Sequence, residues 1–189
     1  NRNDTIPETG SQSENALNTA DPKQDSFGDK MDSVAGTSMY LSKPVQGGTL
    51  NIGAGARPQV GAYNIDIDPR AEGVYYGNAT DLSNVPTGSQ SKIIMQNPYK
   101  YKPLGPEISR VLQSGGTIEI TGGMSNRWFN IYYKMTSEQL AALGYEIVSK
   151  GPSPDPEKGC CSSGDDIMGT PLLIVLRNCL LYTSPSPRD

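Results

Sequence analysis

From Thr49 to Pro69 the chain reads TLNIGAGARPQVGAYNIDIDP. Two short apolar runs of strand length flank a turn rich in glycine, and both end in residues that suit a ribose or a phosphate. No other stretch restricts the fold as much. Short apolar runs that are continuous rather than strictly alternating belong to a parallel sheet covered on both faces. From Gly55 to Tyr63, however, there is hardly room for a crossover helix, because a parallel connection usually needs roughly a dozen residues or more. The expected architecture is a parallel sheet with its first connection trimmed.

Further strands follow in GVYYGNA from Gly73, SKIIMQN from Ser91 and GTIEITG from Gly116, with YEIVSKG from Tyr145 and PLLIVLRN from Pro171 as the last two. One helix is strongly marked. In MTSEQLAALGYEIV, Thr136 caps the helix, Gln139 reaches back to complete a capping box, Met135 and Leu140 form a staple, and Gly144 supplies the stop. A second helix is expected through GPEISRVLQSGG, with Pro106 near its first turn and Gly115 ending it.

The 189 residues suffice for one ordinary domain. Residues 1–42 are rich in Asn, Asp, Ser, Thr, Gly and Gln without an apolar period, the composition of a disordered linker or tail, so the domain is placed at 43–178. A start at Asn1 rather than Met reads as a fragment of a larger chain, and localisation, whether cytoplasmic or secreted as part of a larger bacterial protein, is left open. The segment CLLYTSPSPRD, Cys179 to Asp189, matches one reading frame of a common transposase-type sequencing adapter, so 179–189 is expected to be adapter-derived. SPDPEKGCCSSGDD, from Ser153 to Asp166, reads as a polar surface loop.

Several classes of chemistry drop out. Histidine is absent, which removes Ser-His-Asp hydrolysis, Cys-His chemistry and most zinc sites. Cys160 and Cys161 are adjacent and Cys179 is far off, so neither a disulfide framework nor a metal site is indicated. The net charge is -4 and the densest basic cluster, YKYK at Tyr99 to Lys102, is short, so there is no strong nucleic-acid signature. No apolar run approaches the roughly 20 residues of a membrane span, and a soluble chain is expected.

A glycine turn after a first strand lets backbone approach a ligand closely, and a carboxylate at the tip of the second strand can accept hydrogen bonds from ribose hydroxyls. Gly53 and Gly55 supply the turn and Asp66 or Asp68 the acid. As a dinucleotide fingerprint the match is poor: Pro58 stands where the third glycine belongs, and Asp66 follows the turn well short of the expected spacing of about 20 residues.

Taken in order, LNIGAGARPQVGAYNIDIDP, GNATDLSNVP and ISRVLQSGGTIEITG resemble a compact class I S-adenosylmethionine-dependent methyltransferase. The fold this resemblance implies is α/β, a Rossmann-like three-layer sandwich with a mostly parallel sheet and an antiparallel last strand. It implies S-adenosylmethionine as cofactor. Asn51, Gly53, Ala54 and Gly55 would line the methionine side, Asp66 would hold the ribose, Asn78 and Ala79 would sit at the adenine, and Gln96 would close the pocket. The loop MQNPYKY is similar to the Asn-Pro-Pro-Tyr loop of amino-group methyltransferases, with its second proline missing. By that resemblance the Asn97 side chain and a backbone carbonyl accept hydrogen bonds from a target NH2 while Tyr99 stacks on the planar group. The alternative is a proline turn with Tyr99 covering the core.

Two features stay open at this level. The aromatics of RWFNIYYK, Arg127 to Lys134, can line a planar acceptor site or pack a helix on the sheet, and Glu119 faces either solvent or a catalytic mouth. The leading expectation is methyl transfer to an amine- or amide-bearing acceptor. Against it stand a degenerate, non-catalytic Rossmann-like binding module and, from the polar lead-in before a small domain, an architecture resembling the variable tips of bacterial polymorphic toxins.

Overall fold

Alternation along the strands decides where the core lies. The computed structural model describes residues 38–154 and 169–180. Its strands are β1 Gly48–Ile52, β2 Ala62–Asp66, β3 Val74–Tyr76, β4 Gln90–Gln96, β5 Leu112–Gly122, β6 Tyr145–Pro152 and β7 Leu172–Asn178, and its helices are α1 Pro106–Val111, α2 Arg127–Tyr133 and α3 Ser137–Ala142. The strands form one seven-stranded sheet in the order β3-β2-β1-β4-β5-β7-β6. The pairs β1–β2, β1–β4, β2–β3 and β4–β5 are parallel, and β7 runs antiparallel to both β5 and β6. The fold is α/β and Rossmann-like, with a mostly parallel sheet and an antiparallel last strand, as expected.

Register carries one apolar row across the sheet, Tyr63–Leu50–Ile93–Ile118–Leu176, and a second beside it, Ile65–Ile52–Met95–Ile120–Ile174. All ten of these residues are buried in one cluster, into which Ile108 and Val111 of α1, Phe129 of α2 and Leu140 of α3 also pack. The described helices therefore cover this face. Residues of the other parity are more polar. Asn51 and Asn64 are buried there, and Lys92 and Glu119 form an ion pair at 2.6 Å, so Glu119 serves the sheet face rather than a catalytic mouth.

The capping box of α3 is present, with Thr136 Oγ1 accepting from the Gln139 N–H at 3.2 Å and Gln139 Oε1 accepting from the Thr136 N–H at 2.9 Å. Gly144 follows in the left-handed region, at φ +88°, as a helix stop requires. The other expected helix is shorter than its sequence suggests. It ends at Val111, and Leu112, fully buried, already pairs with Gln90 as the first residue of β5. Gly115, at φ +74°, is thus an irregular point in a strand, where the register passes from Gln90↔Leu112 to Lys92↔Thr117. Burial of Leu112 in the core outweighs continuation of a helix whose exposed end gains little.

The connection from β1 to β2 contains no helix, and side-chain hydrogen bonds hold it instead. Asn64 Oδ1 accepts from the Gln59 N–H and Asn64 Nδ2 donates back to the Gln59 carbonyl. Between β3 and β4, Leu82 and Val85 enter the core from an irregular segment. That segment is clamped to α1: Arg110 donates to the carbonyls of Val85 and Leu82, and Glu107 accepts from the Leu82 N–H at 2.8 Å. The Arg110 guanidinium beside Glu107, with that N–H, holds the Glu107 carboxyl below the ordinary carboxylate range.

Met39 to Leu41, expected in the lead-in, are tied to the sheet: the Gly61 N–H donates to the Met39 carbonyl and the Leu41 N–H to the Ala62 carbonyl. Cys179 and Leu180 also touch the domain, the Cys179 N–H donating to Gly144 O at 2.8 Å. Residues 1–37 of the expected tail, most of the Ser153–Asp166 loop with Cys160 and Cys161, and 181–189 of the expected adapter segment lie outside the described residues. Among the described residues no helix is long and apolar enough to cross a membrane.

Candidate functional site

In a parallel sheet whose strand order reverses between β1 and β4, the connections leave in opposite directions and open a crevice at the carboxyl ends. A cavity of about 290 Å³ lies there, near the lower end of the range for small-molecule sites. Gly53, Asp66, Asn78, Ala79, Gln96, Asn97 and Tyr99 line it, so most of the expected site residues converge. Asn51, Ala54 and Gly55 do not. Asn51 points into the sheet, donating from Nδ2 to Asn64 Oδ1 at 2.9 Å; it supports the loop that Asn64 holds rather than facing a ligand.

Gly53 and Gly55 sit at φ +79° and +50°, a region that costs an L side chain strain. The turn they form is strapped to β2. The Gly53 and Ala54 N–H groups both donate to Ile65 O, and the Gly55 N–H donates to Asp66 Oδ2 at 2.8 Å. The other Asp66 oxygen accepts from the Asp68 N–H at 2.8 Å. Asp66 is only 6 % exposed, yet each oxygen keeps a lone pair for a further donor. Asp68, the other candidate acid, is exposed and engaged with Arg70 at 2.7 Å. Of the two candidate acids, Asp66 lines the cavity and Asp68 does not.

Asn78 follows β3. Its Oδ1 accepts both from the Thr80 N–H at 2.9 Å and from Thr80 Oγ1 at 2.8 Å. The backbone donor identifies that atom as the carbonyl oxygen, and both of its lone pairs are in use. A base at this position would meet the Nδ2 donor, and so would offer a ring nitrogen rather than an exocyclic amine.

β4 ends in a strained loop. Asn97 and Lys100 are the only described non-glycine residues at positive φ, at 45° and 60°. Such backbone persists where its surroundings over-determine it, which is commonest at functional sites. The Asn97 N–H donates to Thr121 O at 2.7 Å, and Asn126 Nδ2 donates to Asn97 Oδ1 at 2.6 Å and to Pro98 O at 2.8 Å. Meanwhile Asn126 Oδ1 caps α2 by accepting from the Trp128 and Phe129 N–H groups. A carboxamide NH2 is therefore held by one side-chain and one backbone carbonyl of the Asn-Pro-Tyr segment.

Tyr99 does not cover the core; it is 62 % exposed. Its ring meets Trp128 edge-on, centroids 4.8 Å apart, while Lys100 lies over Tyr99 and Arg127 over Trp128. These four side chains line a shallow depression beside the cavity. The aromatics of α2 thus divide: Phe129 and Tyr132 are buried, and Trp128 goes to the rim. Sequence reasoning missed Asn126, whose capping position was legible but whose bond to Asn97 was not, and Tyr101, which lines the cavity. Among the described residues no cluster of His, Cys, Asp and Glu is arranged to hold a metal ion.

No protein-family model matches the chain, and no curated protein matches its sequence. Solved structures similar to it include a 16S rRNA (adenine(1408)-N(1))-methyltransferase from Catenulisporales acidiphilia with cosubstrate S-adenosylmethionine, at 13% identity over 77% of this chain and 89% of that one, TM-score 0.46. Another is a methyltransferase dependent on S-adenosylmethionine from Methanosarcina mazei, at 16% identity over 75% and 96%, TM-score 0.44. A third, from Aquifex aeolicus, shares 12% identity over 71% and 84%, TM-score 0.45.

Proposed function

We propose that the domain is an S-adenosylmethionine-dependent methyltransferase acting on an acceptor that bears an amine or amide. The observation that carries the reading is the convergence of a strapped glycine turn, a buried Asp66 with spare acceptor capacity and the Asn97–Tyr99 segment on one cavity. These residues fit a nucleoside-bearing cofactor: Asp66 for its ribose, Asn78 and Ala79 for its base, and the Gly53 backbone for its amino-acid end. When bound, the cofactor supplies an electrophilic methyl group open to in-line displacement.

The protein's share of that reaction is alignment. Asn97 Oδ1 and Pro98 O, which already hold the NH2 of Asn126, would accept from the N–H groups of an acceptor and turn its nitrogen lone pair toward the cavity. Tyr99 and Trp128 would stack on a planar acceptor, with Arg127 and Lys100 beside them. A base is needed only if the nitrogen is protonated at attack, so a domain without histidine can perform the step.

One observation favours a second reading, a non-catalytic binding module: Asn126 fills the amine cradle from within. The two readings separate on titration calorimetry with S-adenosylmethionine followed by labelled-methyl transfer into amine- and amide-bearing acceptors. Binding with transfer supports the enzyme. Binding without transfer, in the parent and in Asn126→Ala alike, supports the module, and absence of binding removes the cofactor from both.

A further inference from the structure

Among the described residues four buried side-chain polar atoms lack a hydrogen-bond partner, and two of them, Gln96 Nε2 and the Tyr101 hydroxyl, belong to residues lining the one cavity. Gln96 is only 5 % exposed. Leaving such donors unmade is costly, and native proteins seldom do so without a ligand, ion or water to complete them. The left-handed backbone at Asn97 and Lys100 brackets the bend that brings the chain from β4 to Tyr101.

The Asp66 carboxylate acts on Tyr101 from the same cavity. Burial of the phenol, and secondarily the negative charge of Asp66, push its ionisation far above the ordinary tyrosine range, so it remains a protonated donor at any pH at which the protein is handled. No hydrogen bond joins the two groups, since the hydroxyl has no partner in the protein. A buried donor and a buried acceptor that share a cavity without meeting are completed by a group able to accept from one and donate to the other. A hydroxyl does both.

We propose that Tyr101 reads the sugar of the bound nucleoside: its hydroxyl donates to a ribose hydroxyl oxygen whose own O–H donates to Asp66. The inference rests on the reading of the cavity as a site for a nucleoside-bearing cofactor and adds to it a residue that discriminates ribose from deoxyribose. Gln96 Nε2, orphaned on a residue that lines the same cavity, is left for a second acceptor atom of the same ligand.

The test compares parent and Tyr101→Phe protein by titration calorimetry with S-adenosylhomocysteine and with its 2′-deoxy and 3′-deoxy analogues, alongside thermal unfolding of both proteins without ligand. The variant should bind S-adenosylhomocysteine about tenfold more weakly, and should show no deficit toward whichever analogue lacks the contacted hydroxyl. Its ligand-free Tm should equal or exceed that of the parent, because the atom removed is a buried donor without a partner. Equal affinity of parent and variant, the same deficit with both deoxy analogues, or a lowered ligand-free Tm would overturn the proposal. If the parent ignores S-adenosylhomocysteine, adenosine and ADP-ribose serve as probes. Binding of either that depends on Tyr101 keeps the ribose contact and discards the methyl donor, and binding of no ribonucleoside overturns both.

Discussion

Replacing Asp66 by alanine is expected to damage the fold as well as the site, and the size of the damage follows from its partners. Its carboxylate accepts from the Gly55 N–H and from the Asp68 N–H, both at 2.8 Å. Hydrogen bonds to a charged group contribute about 1.5–3 kcal/mol each, more where the orphaned partner is buried. Gly55 is buried whereas Asp68 is exposed and can turn to water, so the Gly55 bond dominates and Asp66→Ala should cost about 3 kcal/mol at neutral pH. For a domain of this size that lowers Tm by roughly 10 °C. Asp66→Asn keeps one carbonyl acceptor and should lose about half as much. Urea unfolding with a common m-value measures both. If Asp66→Ala unfolds at the parent midpoint, the carboxylate does not hold the glycine turn, and the account of the strapped loop is wrong. The ordering has a practical consequence. Loss of ligand binding in Asp66→Ala would mix the proposed ribose contact with a collapsed turn, so Tyr101→Phe is the cleaner probe of the same pocket.

Asn126→Ala removes a helix cap and two tertiary hydrogen bonds at once, and should cost about 2 kcal/mol in urea unfolding. Glu107→Gln should be less stable than the parent near neutrality: the native carboxyl titrates below its unfolded value, so its contribution is present above the unfolded pKa of about 4.3 and disappears as pH falls through the lower folded value. Urea midpoints of the two proteins should therefore converge in acid. In Gly116→Ala the new Cβ would stand 2.7 Å from Leu112 Cδ1, 2.9 Å from Gln113 O and 3.0 Å from Ser91 O. Two of those neighbours are backbone, and a destabilisation of about 1–3 kcal/mol by chemical denaturation is expected.

The strands were legible because each is a short apolar run closed by turn residues, and the capping box of α3 because Thr136 and Gln139 are neighbours in sequence as well as in space. The end of α1 was not. The helical spacing of Ile108 and Val111 continues through Leu112, and only pairing with Gln90 across the sheet turns that residue into strand. The same contrast governs the site. Gly53 and Asp66 announce themselves by residue type at strand ends, whereas Asn51 carries a similar signal but is turned toward Asn64. Asn126 reaches Asn97 over a separation of 29 residues, and Tyr101 owes its place to left-handed backbone at Lys100, a conformation with no mark in a lysine.

The trimmed connections explain why so many polar side chains are buried or bridged around this sheet. A crossover helix normally fixes the loop that precedes it by packing, which is tolerant of sequence. Where the β1–β2 connection has no helix, Asn64 takes hold of Gln59, and Asp66 of Gly55. Where the segment before β4 has none, Arg110 and Glu107 reach over from α1 to Leu82 and Val85. Hydrogen bonds of this kind are directional and individually modest, so these connections are positioned by a few named contacts rather than by a broad apolar surface. The domain is correspondingly sensitive to single polar substitutions outside the cavity: Asn64→Ala, which removes the bonds to Asn51 and Gln59 at a residue that does not line the cavity, should lower the urea midpoint more than Ile94→Val, which removes one methylene and no hydrogen bond.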